Sequence, residues 1–138
     1  MTTTAEALRA IPLFSGMSDR SIEIIEEIVR EQSFPAGAAL VREGEPGESF
    51  MIIRTGSATV DQGGRPLRQL GSGDFLGEIA LVDGGSRTAT VTADEPIEAL
   101  VIDRPGFSRL MNDFPVIRFD LVNALTQRLR ARDPEPLD

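Results

Sequence analysis

Glu78 and Arg87 are the residues of this chain whose types and spacing best suit chemistry. They lie in the run Gly73-Asp74-Phe75-Leu76-Gly77-Glu78-Ile79-Ala80-Leu81-Val82-Asp83-Gly84-Gly85-Ser86-Arg87-Thr88-Ala89-Thr90-Val91. Gly77 and Glu78 stand where a short helix is predicted to begin. Arg87 follows nine residues after Glu78, at the head of a β-patterned run. A helix start offers unsatisfied backbone N–H groups to a phosphate. A carboxylate accepts protons from sugar hydroxyls, and a guanidinium presents a rigid fork of donors to phosphate oxygens. Together they suit a small anion that also carries hydroxyls.

Composition removes most other chemistry. The 138 residues contain no Cys and no His. Disulfides, Cys or His metal sites, and Cys–His or Ser–His–Asp catalysis are therefore excluded. Carboxylate-only mechanisms remain open, but nothing beyond chance pairs the acids, so no cofactor or metal is expected, and no enzymatic reaction. The net charge of −8 opposes a nucleic-acid surface. It also gives no long-range attraction to an anion, so an anion site must act locally. The charge is uneven. Residues 23–48 carry seven Glu against two Arg, and residues 114–132 carry four Arg against one Asp. Each is read as a solvated face. All fourteen basic residues are Arg, for which there is no structural reason. No apolar run approaches the ~20 residues that span a bilayer, and the N-terminus lacks signal-peptide character. A cytoplasmic location without membrane contact is expected.

The length suits one domain with a real core. Residues 4–10 read as a short helix, followed by an apolar break at Ile11-Pro12-Leu13-Phe14. Ser18 is a candidate N-cap for a helix over 19–31, with Ile22, Ile25, Ile28 and Val29 as its apolar stripe. From Phe34 to Ile102 glycine recurs between short β-rich runs at 39–42, 49–54, 57–61, 67–70, 87–93 and 97–103. Many short strands with glycine turns predict an antiparallel sandwich or barrel. Alternation in 57–61 and 88–93 gives each strand one inward face, and Gly63-Gly64 reads as a hairpin turn. A short helix is predicted over 106–111. Pro115 opens a longer one to about Arg132, with Ile117, Leu121, Leu125 and Leu129 one turn apart. Residues 133–138 read as a flexible tail. Patterning alone thus gives helices flanking a β sandwich or barrel with an anion pocket.

The order G-E-x-A-L, short loop, R-T-A-T-V resembles the phosphate-binding cassette of cyclic nucleotide-binding domains. These occur in protein kinase A regulatory subunits, bacterial cAMP-receptor regulators and cyclic nucleotide-gated channels. The resemblance extends from about Leu13 to about Arg132. It implies a mainly β fold with flanking helices: an antiparallel β jelly roll (double-stranded β-helix) with an N-terminal helical segment and a C-terminal lid helix. The domain would occupy 1–132, with helices in 4–31, the roll in 34–103 and C-terminal helices in 106–132.

The resemblance also implies roles. Glu78 would bind the ribose 2′-hydroxyl, and Arg87 the exocyclic oxygens of the cyclic phosphate. Gly77, Ile79 and Ala80 would act through their backbone. Thr88 could touch the phosphate, or the guanine amino group of cGMP, so it permits cGMP without demanding it. Val60, Leu70, Phe75, Leu76 and Val91 are candidate base contacts, although most must also serve the core. Arg128, Arg130 or Arg132 could stack on the purine as part of the lid. Leu76 stands where Phe often precedes Gly-Glu, and Ser86 where Pro often precedes Arg; neither departure removes a charged contact.

The ligand implied is cAMP or cGMP, cAMP first, bound by a regulatory sensor. Its partner would be a downstream protein of unknown identity, and the chain would be a monomer or a homodimer through the C-terminal helix. Direct nucleic-acid binding is not expected, because the chain is acidic and, if it is complete rather than excised from a larger protein, no segment for a helix-turn-helix follows residue 132. A ligand-free scaffold of the same fold is the alternative reading. A cupin-type metalloenzyme is opposed by the absence of His.

Overall fold

The computed structural model describes residues 4–45, 49–76 and 89–132. The chain opens with α1 (Thr4–Arg9) and α2 (Asp19–Ile28). Ser18 caps α2 by accepting the Ser21 N–H at 3.1 Å. This satisfies one of the donors that a helix start leaves free. Arg9 pairs with Asp19 across the turn between the helices.

Among the described residues eight strands follow: β1 (Val29–Phe34), β2 (Ala39–Val41), β3 (Ser49–Thr55), β4 (Ala58–Gln62), β5 (Arg65–Leu70), β6 (Phe75–Leu76), β7 (Thr90–Ala93) and β8 (Ile97–Asp103). They form two antiparallel four-stranded sheets, ordered β1-β8-β3-β6 and β2-β7-β4-β5. Two helices close the chain, α3 (Arg104–Asp113) and α4 (Pro115–Arg132). Asp103 caps α3 by accepting the Gly106 N–H at 2.8 Å, and Pro105 lies in its first turn. Phe114, at φ −128° and ψ 80° and so outside the helical region, separates α3 from α4 before Pro115.

Two expectations are corrected. The helix predicted over 19–31 ends at Ile28, and the roll begins at Val29 rather than 34. Val29 pairs with Ile102 and Phe34 with Ile97, so a full antiparallel ladder to β8 outweighs the helical period at Val29. Strand β6 was not foreseen. Two residues carry no readable alternation, and only their pairing with Met51 and Ile52 makes them a strand.

The core has two compartments. Between the sheets, Phe34, Leu40, Met51, Ile53, Val60, Leu70, Leu76, Val91, Ile97 and Val101 fill the roll interior. Outside the first sheet, a helical seam joins Leu8, Phe14, Ile22 and Ile25 to Phe107, Leu110, Phe114, Ile117 and Leu121. Phe50, Ile52, Leu100 and Ile102 supply the sheet side of that seam. Strands β3 and β8 are therefore buried on both faces, which is why Phe50–Ile53 and Ala99–Ile102 read as unbroken apolar runs. Among the described residues no helix is long and apolar enough to cross a membrane.

Candidate functional site

Residues Gly77, Glu78, Ile79, Ala80, Arg87 and Thr88 lie outside the described residues. The structure describes what holds the two ends of that segment. The chain leaves the first sheet at Leu76, on edge strand β6, and is next described at Ala89, ahead of β7. Strand β7 is an inner strand of the second sheet, between β2 and β4. The twelve residues between thus connect the two sheets of the roll.

The entry side is built by the turn at 71–74. Asp74 accepts the Gly71 N–H on its carboxylate at 2.8 Å, and its own N–H donates to the Gly71 carbonyl at 3.0 Å. Gly73 adopts φ +91°, a conformation that favours glycine, and its N–H donates to the Ile53 carbonyl at 2.7 Å. The Ile53 N–H returns to the Asp74 carbonyl at 2.8 Å, and the Ser72 hydroxyl donates to the Arg54 carbonyl at 2.7 Å. This lattice fixes the chain to β3 just before Phe75.

The exit side is fixed by Thr90. Its hydroxyl oxygen accepts the Glu43 N–H at 3.0 Å. The Glu43 carboxylate in turn accepts the Gly63 N–H at 2.9 Å, joining the β4–β5 hairpin to the same corner. Asp74, Thr90 and Glu43 were not singled out from the sequence. The Gly-Ser-Gly-Asp turn chemistry at 71–74 carried a signal for Asp74. Nothing local pointed to Glu43.

The five candidate base contacts do not share one surface. Val60, Leu70, Leu76 and Val91 belong to the roll interior and are 3–5% exposed. Phe75 stands apart. It pairs with Ile52 while Leu76 pairs with Met51, and directly opposed residues share a sheet face. Ile52 faces the helical seam and Met51 the roll interior, so Phe75 points to the seam. There its ring packs against Phe50, with centroids 5.6 Å apart.

Positions 128, 130 and 132 lie on the backbone of α4, and their side chains are outside the described residues. Earlier in α4, Ile117 and Leu121 are buried in the seam, whereas Val116, Phe119 and Val122 are exposed. Phe119, 70% exposed, was not foreseen as a surface residue.

Residues 31–114 match the profile of the cyclic nucleotide-binding domain family. The chain is 35% identical over 114 residues to cGMP-dependent protein kinase isozyme 1 of Drosophila melanogaster, covering 77% of this chain and 15% of that one. It is 27% identical over 130 residues to the cAMP-dependent protein kinase regulatory subunit of Pyricularia oryzae, covering 92% of this chain and 33% of that one. The crystal structure of the Thermus thermophilus catabolite activator protein superposes with a TM-score of 0.80 at 29% identity, covering 90% of this chain and 61% of that one. The chain therefore spans only a part of each of these proteins. It belongs to the cyclic nucleotide-binding domain family, as a regulatory-type domain similar to those of protein kinase A regulatory subunits and the bacterial activator.

Proposed function

We propose that this domain is a cytoplasmic sensor of a cyclic purine nucleotide, cAMP in preference to cGMP, whose C-terminal helix closes over the bound ligand. One observation carries the reading. A family member retains both charged groups of its cassette, Glu78 and Arg87, in the segment that connects β6 to β7. Glu78 accepts the ribose hydroxyl proton. Arg87 gives its planar donor fork to the phosphate oxygens, and the N–H groups near Ile79 and Ala80 complete the anion's shell. Gly77 permits close backbone approach, and Thr88 leaves room for either base.

The domain performs no reaction. Its output is a change in α4, read by a downstream protein or by a second copy of the chain. Such an output requires that the nucleotide bind the two arrangements of α4 with different affinity. Calorimetric titration with cAMP and with cGMP, beside Arg87→Ala, tests the proposal. Removing one partner of a buried charge pair costs ~3–5 kcal/mol, and that loss of affinity is expected. A loss below ~1 kcal/mol, typical of an exposed pair, would remove Arg87 from the site. Absence of heat with both nucleotides, in protein shown free of carried-over ligand, would make the domain a scaffold.

A further inference from the structure

Strand β7 is held unevenly at its first residue. On the β4 side the ladder runs without a break from Ala93 to Thr90, which is opposed to Asp61. On the β2 side β7 pairs only at Thr92 and Val91, and the register shifts between Ala39 and Val41. An irregularity of this kind re-aims a strand or ends its pairing. Among the described residues Thr90 is thus opposed to no residue of β2. The N–H of Glu43, two residues beyond β2, takes that place by donating to the Thr90 hydroxyl oxygen at 3.0 Å. The Glu43 carboxylate in turn accepts the Gly63 N–H of the β4–β5 turn at 2.9 Å. The strand order puts β7 between β2 and β4, so this one residue spans the head of β7 from one side to the other. The turn is also tied to its own strand, where the Gly64 N–H donates to the Asp61 carboxylate at 3.1 Å. Since Asp61 is opposed to Thr90, the contacts close a circuit: Glu43, Thr90, Asp61 and the Gly63-Gly64 turn.

We propose that Glu43 is a positioning residue for the nucleotide site, acting through Thr90 and the β4–β5 hairpin rather than by contact with the ligand. Both glycine N–H groups of the turn are held by carboxylates, and hydrogen bonds to an ionised acceptor are the stronger kind. The hairpin, the end of β2 and the head of β7 therefore keep one arrangement together. Arg87 stands three residues before Thr90 in the chain, so the backbone that leads back to it starts from a fixed point. A binding group has to be held close to its productive geometry by supporting hydrogen bonds, and ordering it in advance lowers the cost of binding. The effect on affinity rests on the function proposed above; the circuit around Thr90 does not.

Three variants of the full chain, freed of nucleotide, test the proposal. Glu43→Ala removes the carboxylate and keeps the N–H. Thr90→Val removes the hydroxyl acceptor at nearly the same shape. Glu43→Gln keeps an acceptor for Gly63. Ser33→Ala is the control, since it loses a comparable exposed bond, to Glu98 at 2.7 Å, on the first sheet. Amide hydrogen exchange is read at Glu43 and Gly63. Thr90→Val should quicken both amides by about threefold or more, the worth of one hydrogen bond, although Gly63 keeps its own acceptor. Quickening at Glu43 alone would mean two independent bonds and would overturn the circuit. Titration with cAMP and with cGMP reads the effect on the site. Glu43→Ala and Thr90→Val are each expected to weaken the nucleotide that binds by about three- to tenfold, Glu43→Gln by less than about twofold, and Ser33→Ala not at all. Unchanged affinity in Glu43→Ala and Thr90→Val, or a loss in Glu43→Gln equal to that in Glu43→Ala, would overturn the positioning role. If wild-type protein binds neither nucleotide, the function proposed above fails, while the exchange arm still decides the circuit.

Discussion

The two faces of β3 look onto different kinds of core. Met51 and Ile53 face the roll interior, where most neighbours are small or branched: Ala58, Val60, Val91, Ala93, Ala99 and Val101. Phe50 and Ile52 face the seam, which holds Phe14, Phe107, Phe114 and a partly buried Phe75. The interior is fixed by cross-strand register, since each of its residues sits in a hydrogen-bonded strand. The seam instead joins segments from opposite ends of the chain, α1 and α2 with α3 and α4, through side chains alone. Large rings suit that task because each reaches several elements. The comparison indicates where regulation is cheapest: helices held by side-chain packing can reseat without breaking a ladder.

Substitutions on β3 give the largest test of this difference. Phe50→Ala is expected to cost about 3–5 kcal/mol and Ile53→Ala about 2–5 kcal/mol in urea denaturation, both positions being fully buried. The sharper test is where each variant opens. Exchange should quicken first in α1–α4 for Phe50→Ala, and in β4, β5 and β7 for Ile53→Ala. Identical patterns would mean one undivided core.

Two glycines repeat the comparison at smaller cost. Gly56, between β3 and β4, has φ +100°, and a Cβ there would meet the Pro96 carbonyl oxygen at 2.4 Å. Gly56→Ala should lose about 3 kcal/mol, from backbone strain of ~1–3 kcal/mol and overpacking together. No side-chain change can relieve a clash with a carbonyl. Gly106, on α3, would place its Cβ 2.6 Å from Ile28 Cγ2 and 3.1 Å from Ile102 Cγ2. Gly106→Ala should cost ~1–3 kcal/mol. The double variant Gly106→Ala, Ile28→Ala should recover part of the loss relative to Ile28→Ala alone. Additivity in that cycle would show that α2 and α3 do not meet as described. The smallest effect is at Asp103, whose cap of α3 is worth about 1 kcal/mol. Thermal melts of Asp103→Ala would show it, and α3 rather than the roll should lose exchange protection.

Much of this architecture was readable in advance. Ser18 announced α2, Gly63-Gly64 the β4–β5 hairpin, and Pro115 the start of α4, because each is a local signal for a local geometry. The misreading of 29–31 has a physical cause. Val29 fits the helical stripe of Ile22 and Ile25 equally well, and its strand state exists only because Ile102 lies opposite it. The candidate site was legible as a motif. Its supports, Glu43 with Gly63 and Thr90, bring together positions 43, 63 and 90, which no window of sequence contains.

By itself the sequence determined the charged pair Glu78 and Arg87, the absence of Cys and His chemistry, the turn residues and the period of most elements. These follow from side-chain type and local backbone preference. The tertiary structure alone decided which face each apolar residue took. Phe75 and Leu76 are adjacent and both apolar, yet pairing with Ile52 and Met51 sends one to the seam and the other into the roll. Likewise Ile117 and Leu121 are buried while Val116 and Phe119 face outward. Hydrophobicity is non-directional, so residue type can require burial but only register and packing can assign it a side.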